Sequence, residues 1–216
     1  MIKNIELIIF DLDGTLVDSK QDIINAINFM LKERSLPEKS GEEIISYVGK
    51  GINELLVKSL ESQDTDVNNK GRVLFKSYYK KHSADHAYLY KGVKETLKYF
   101  KNKQKAVITN RNHKSALNIL KKMGIDTHFT QTIGDDNKLC LKPNKGQFDK
   151  LFDILSVKKK DKIIMVGDMD VDIIAAKASG VFTCAVTYGF GKFDDIRKLK
   201  PNYIIDSISE LKNIIN

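Results

Sequence analysis

The sequence predicts an α/β fold in which an open parallel sheet is interrupted, after its first strand, by an inserted all-helical domain. Three observations predict it. Short apolar runs rich in β-branched residues recur along the chain and alternate with stretches of helical spacing. The interval from about 17 to 90 has no such run and carries helical spacing alone. Polar residues, carboxylates foremost, follow the apolar runs at their C-terminal ends. Composition agrees: 216 residues, 42% apolar and 30% charged, can bury a core and match neither a disordered chain nor one with eighteen consecutive apolar residues.

The first strand is read at residues 5–10, Ile-Glu-Leu-Ile-Ile-Phe, whose mostly apolar character suits a strand covered on both faces. The helical interval follows. Ile23, Ile27, Met30 and Leu31 define one helix, Ile44, Ile45, Val48, Ile52, Leu55 and Leu56 a helix pair, and Leu74, Phe75, Tyr78 and Tyr79 another. The polar stretch from Glu61 to Gly71 is read as a connection between helices. Four further strands are expected at 105–109, 162–166, 181–186 and 203–205. Helices between them are marked by Ala116, Ile119 and Leu120 before Gly124, by Phe148, Leu151, Phe152 and Leu155, and by Ile173, Ile174 and Ala176 before Gly180. The expected division is a Rossmann-like parallel-sheet core from residues 1–16 and 91–216, and a helical cap domain from residues 17–90.

The N-terminus enters only a few apolar residues, with no signal-peptide pattern, so the cytoplasm is the expected compartment. Cys140 and Cys184 lack metal or redox spacing, and neither is expected to be a nucleophile. The formal charge of +8 invites a nucleic-acid partner. Its lysines, however, are spread along the whole chain, and the run Lys158-Lys159-Lys160 falls where a surface turn is expected. Neither a nucleic-acid nor a membrane partner is expected, and the charge is read as a solvated surface and a field that draws in a small anion. A monomer or a homodimer fits equally.

In an open parallel sheet, ligands bind beyond the carboxyl ends of the strands. Asp11-Leu12-Asp13-Gly14-Thr15 follows the first strand, Thr109-Asn110 ends the second, Lys142-Pro143 precedes a helix, and Gly167-Asp168-Met169-Asp170-Val171-Asp172 ends another strand. Asp11 and Asp13 are two apart, so in extended backbone their side chains start on one side, and Gly14 allows the chain to turn away. Carboxylates brought to one edge repel by about 4 kcal/mol per close pair at an effective dielectric of 20, so a cation must sit among them. Lys142 is one candidate and Mg²⁺, a hard cation that takes carboxylate oxygen, is the other. Taken singly, each string also reads as a turn or a helix cap.

Together these strings resemble the haloacid dehalogenase superfamily, whose phosphatase branch carries Asp-x-Asp-Gly-Thr, a Ser or Thr, a Lys, and Gly-Asp-x-x-x-Asp in that order. The chain is most similar to its phosphoglycolate-phosphatase-like group, in which a helical cap follows the first motif. Further likenesses are Tyr47 to Ile52, Ile133 to Asp136 and Val186 to Gly191. The resemblance implies a hydrolase acting on a small phosphorylated metabolite. Asp11 would be the nucleophile, Asp13 the general acid and base, and Lys142, Thr109 and the Asn110 amide the phosphate-binding groups. Mg²⁺ would be held by Asp11, by the backbone carbonyl of Asp13 and by Asp168, with Thr15 and Asp172 in support. The chain departs from the group before Gly92, where Tyr88 to Lys91 lacks a proline, and at Lys145, which stands where a second proline is usual.

Gly49-Lys50-Gly51 interrupts a helical pattern and is read either as a grip on a substrate carboxylate, through exposed amides and the Lys50 charge, or as a plain turn between helices. Arg111 and His113 could face the cleft, but the surface of the following helix is the favoured reading. Rival activities on the same motifs are a phosphomutase, a pyrophosphatase or a nucleotidase. A phosphate-binding domain without activity is disfavoured because no core position is missing, and a dinucleotide site because no G-x-G-x-x-G follows a strand.

Overall fold

The computed structural model describes residues 2, 4–136 and 140–215; Met1 and Lys3, on which the N-terminal reading partly rests, lie outside them. The chain divides into two compact units, Met1–Asp18 with Leu89–Asn216, and Ser19–Tyr88. Along the chain, β1 (Leu7–Phe10) and β2 (Val17–Asp18) lead to four helices, α1 (Lys20–Glu33), α2 (Gly41–Ser46), α3 (Ile52–Leu60) and α4 (Thr65–His82). The first unit resumes around β3 (Tyr88–Leu89) and continues through α5 (Val93–Tyr99), β4 (Gln104–Asn112), α6 (His113–Lys122), β5 (Gln131–Asp135) and α7 (Gly146–Ile154). It closes with β6 (Ile163–Gly167), α8 (Asp170–Ser179), β7 (Phe182–Val186), α9 (Phe193–Lys198), β8 (Tyr203–Ile205) and α10 (Leu211–Ile214).

The first unit is a six-stranded sheet in the order β5-β4-β1-β6-β7-β8, with every pair parallel. All four residues of β1 and all five of β6 are buried, as strands covered by helices on both faces must be. Leu7, Ile9, Ala106, Ile108 and Met165 from the strands pack with Phe148, Leu151, Ala175 and Ala176 from α7 and α8 into one core cluster. This is the doubly wound order in which the chain reverses direction across the sheet between its first and fourth main strands, here β1 and β6. Ligands bind at that switch point because the connections on either side diverge and leave a crevice. Register then decides what lines it: Phe10 pairs with both Val107 and Val166, so Asp11, Ile108 and Gly167 reach one edge at one level.

β5 escaped the sequence reading. It is an edge strand of five residues, Gln-Thr-Ile-Gly-Asp, with Ile133 its one large apolar side chain, so it never forms an apolar run. Pro143 does not start a helix as its type allows: Asn144 N–H closes a turn on Leu141 O, and α7 begins at Gly146.

The helical unit is built on α1, which packs on α2, α3 and α4. The polar stretch from Glu61 to Gly71 is only partly a connection. Asp64 accepts from the amides of Asp66 and Val67 and so caps α4 at Thr65, nine residues before Leu74, the first position from which the helix is read. Gly71 lies inside that helix because a Cβ there would stand 2.7 Å from Leu60 Cδ1 and 3.0 Å from Met30 Sδ.

Candidate active site

The end of β1 delivers Asp11, and Gly14, at φ +90°, turns the chain away behind it. The Lys142 ammonium donates to Asp11 Oδ1 at 2.7 Å, to Asp172 Oδ1 at 2.6 Å and to the Ile108 carbonyl at 2.8 Å. Its three protons are therefore all engaged in a buried position. The backbone of Lys142 is fixed too. The Asn110 side chain accepts from the Lys142 amide and donates to the Lys142 carbonyl, at 3.0 and 2.8 Å, and the Lys142–Pro143 peptide is cis. Gln147, on α7, accepts from the same amide at 3.3 Å and donates to the Thr109 carbonyl at 2.7 Å. One buried amide thus ties the lysine loop to the end of β4. Sequence reading passed over Gln147, although a glutamine on the apolar stripe of Phe148 and Leu151 is a signal of a buried polar partner.

Asp168, at the end of β6, accepts from Thr15 Oγ1 at 2.8 Å and from the Phe190 amide at 2.7 Å. Glycine at 14, 189 and 191 makes room for it: a Cβ at Gly14 would stand 2.1 Å from Asp168 Oδ2, at Gly189 2.2 Å from its Cβ, and at Gly191 2.0 Å from its carbonyl oxygen. Tyr188 Oη donates to the Thr15 carbonyl at 2.9 Å and completes the packing. The loop after β7 is therefore part of the site. Its signal was the pair of glycines following a strand at the same sheet edge. Asp172 receives Lys142 on one oxygen and the Met169 amide on the other, which caps α8.

Asp11, Asp168 and Asp172 each offer a carboxylate oxygen within 4.8 Å of one another. Three carboxylates against one ammonium leave a formal charge of minus two in a buried space. The strain is visible in the ionisation of the group. Burial, with Asp172 and Asp168 adding to it against the pull of Lys142, holds Asp11 well above the usual carboxylate range. Burial and then Asp172 push Asp168 up to about 7. Burial acts to lower Lys142, but Asp11 and Asp172 outweigh it and keep the ammonium charged. A hard divalent cation matches both the oxygen donors and the missing charge, so the cluster fits a metal ion.

Asp13 does not join this cluster through its side chain. Its carboxylate is taken by Arg111, from Nε to Oδ2 at 2.8 Å and from Nη2 to Oδ1 at 2.6 Å. The expectation that Arg111 lies on the surface of the next helix is corrected: β4 runs on to Asn112, and α6 begins only at His113, so Arg111 still belongs to the strand edge. Pairing of β4 with β5 loses its register between Ile108 and Asn112, which releases Thr109, Asn110 and Arg111 from the ladder. His113 starts α6, and a Cβ at Gly134 would meet its backbone at 2.6 Å. Of the two cysteines, Cys140 is exposed and Cys184 buried, the latter with burial pushing its thiol up to about 12.

Gly49, Lys50 and Gly51 belong to the helical unit. Both glycines have positive φ, +117° and +89°, and Gly51 leads into α3. Lys50 is half exposed, with its ammonium 3.8 Å from Glu54.

Among known proteins, residues 8–186 match the haloacid dehalogenase-like hydrolase family. Phosphoglycolate phosphatases of Vibrio parahaemolyticus and Chromobacterium violaceum are 34% and 32% identical to the chain, with 99% of it covered in each case and 97% and 98% of the relatives. A crystal structure of a predicted phosphoglycolate phosphatase from Haemophilus somnus superposes with a TM-score of 0.91 at 32% identity, covering 97% of both chains. Sheet order, the carboxylate cluster at its switch point and these matches together place the chain in the haloacid dehalogenase-like hydrolase family.

Proposed function

We propose that the chain is a Mg²⁺-dependent phosphatase that hydrolyses a small phosphate monoester, 2-phosphoglycolate foremost, through an aspartyl-phosphate on Asp11. The observation that carries the reading is the buried Lys142 ammonium bonded to Asp11 and Asp172 beside Asp168, with the released Thr109–Asn110 segment next to it. The names of the relatives at 34% and 32% identity support the choice of substrate.

Asp11, Asp168 and the backbone carbonyl of Asp13 would hold Mg²⁺, which when bound offsets the charge that keeps a carboxylate and a phosphate apart. Asp11 then attacks phosphorus. The Asp11 oxygen–phosphorus bond forms, the bond to the leaving oxygen breaks, and that oxygen takes a proton from Asp13. In the second half, water gives a proton to Asp13 and its oxygen to phosphorus as the bond to Asp11 breaks. The sum is ester plus water to alcohol plus phosphate, with both aspartates restored. Lys142, Thr109 and the Asn110 amide stabilise the phosphoryl oxygens. Thr15 steadies Asp168 and Asp172 steadies Lys142.

The test is phosphate release from a panel of small monoesters, nucleotides and pyrophosphate, with and without Mg²⁺, ranked by kcat/KM. Phosphoglycolate is expected at the top. Asp11→Asn is expected to lose about a thousandfold or more, as removal of a nucleophile does. Wild-type turnover by that variant would remove Asp11 from the role.

A further inference from the structure

The fork between Arg111 and Asp13 is used by none of the steps above. The guanidinium takes both carboxylate oxygens, at 2.8 and 2.6 Å, and the two side chains are only 6% and 13% exposed. A third point fixes the arginine: Nη1 donates to Ser115 Oγ at 3.3 Å, and the Ser115 amide is held by Asn112 Oδ1. Arg111 is thus anchored by the strand that carries it and by the first turn of α6.

Held in this fork, Asp13 directs both oxygens at the guanidinium rather than at a leaving group. The fork must open for Asp13 to act. An opened fork leaves a largely buried guanidinium in need of an anion, and the geometry it demands is that of a planar pair of oxygens. A plain alcohol as leaving group supplies no such pair. A carboxylate next to the ester oxygen supplies one with the same charge and shape as that of Asp13, so the ion pair is exchanged rather than broken.

We propose that Arg111 is the specificity-determining residue for the leaving group. It trades the Asp13 carboxylate for a carboxylate carried by the substrate, and the freed Asp13 takes a proton from solvent and carries it to the leaving oxygen. The proposal rests on the phosphatase reading and adds to it the core residue that prefers carboxylated monoesters.

The measurement is the ratio of kcat/KM for 2-phosphoglycolate to that for ethyl phosphate, which has the same ester linkage without the carboxylate. In the wild-type protein with Mg²⁺ the ratio is expected to exceed about tenfold, the weight of a charge-assisted pair of hydrogen bonds. Arg111→Gln is expected to lower it by about tenfold to a hundredfold, with the loss falling on phosphoglycolate and on its KM as well as its kcat. Arg111→Lys keeps the charge but not the fork and is expected to fall between the two. Equal wild-type efficiency on both esters overturns the proposal without any variant, and so does an unchanged ratio in either variant. Phosphate release from neither ester overturns the phosphatase reading and the proposal with it, a result distinct from equal release.

Discussion

At Lys142, three donors meet three acceptors, the carboxylates of Asp11 and Asp172 and the carbonyl of Ile108, so the ammonium has no proton left for Asp168. Asp168 is held by Thr15 and Phe190 instead, both neutral donors, and its carboxyl stands at about 7. A carboxylate whose folded pKa lies above its unfolded value of about 4 binds an extra proton in the folded state. Its contribution to stability is therefore full below about pH 4 and is lost as pH rises through about 7. On the proposed reading, Mg²⁺ takes the ionised cluster and competes with that proton, so its stabilisation is expected to run the other way. At a hundredfold excess over Kd it is expected to raise Tm by about 5–10 °C at pH 8 and by clearly less at pH 6. Thermal unfolding with and without Mg²⁺ at both pH values checks this, and Asp168→Asn should abolish the shift. An equal shift at pH 6 and pH 8 would mean that the metal binds elsewhere.

At the scale of elements, strands ending in carboxylates could be read from the chain because apolar runs and the residues just after them are local signals. The strands β1, β4, β6, β7 and β8 and the polar residues Asp11, Thr109 and Asp168 all came from that rule. What escaped it depends on neighbours distant in sequence. β5 is stabilised by β4 rather than by its own composition, Arg111 by Asp13, and Gln147 by Lys142 and Thr109. The two glycines of the loop after β7 depend on Asp168 in the same way, and they yield a contrast with Gly124. Gly124 has φ +66° but open space where a Cβ would sit, so Gly124→Ala is expected to cost about 1 kcal/mol of stability and leave turnover intact. Gly189→Ala places a Cβ 2.2 Å from that of Asp168, so Asp168 must move. About 1–3 kcal/mol is expected there as well, but with loss of most activity and of Mg²⁺ binding. Denaturant unfolding and kcat/KM on the two variants separate them; retained activity in Gly189→Ala would show that Asp168 need not stand where it does.

For the whole molecule, charge is distributed against its own site. The chain carries a formal +8, while the buried cluster of Asp11, Asp168 and Asp172 around Lys142 is formally negative. An anionic ester is drawn toward the protein by the many and repelled by the few, and the two effects differ in range. Repulsion inside the buried cluster acts over a few ångströms where salt does not penetrate, and on the proposed reading a metal ion offsets it. Attraction by surface lysines acts over distances comparable to the Debye length, about 10 Å at 0.1 M salt and about 3 Å at 1 M. Raising NaCl from 50 to 500 mM should therefore lower kcat/KM for phosphoglycolate by about threefold to tenfold through slower encounter, while kcat, which begins from the bound complex, stays level. The drop should be smaller for ethyl phosphate, which carries one negative charge fewer. Steady-state kinetics across the salt series on both esters makes the check. A kcat that falls in step with kcat/KM would locate the salt effect in the buried cluster rather than in the field of the lysines.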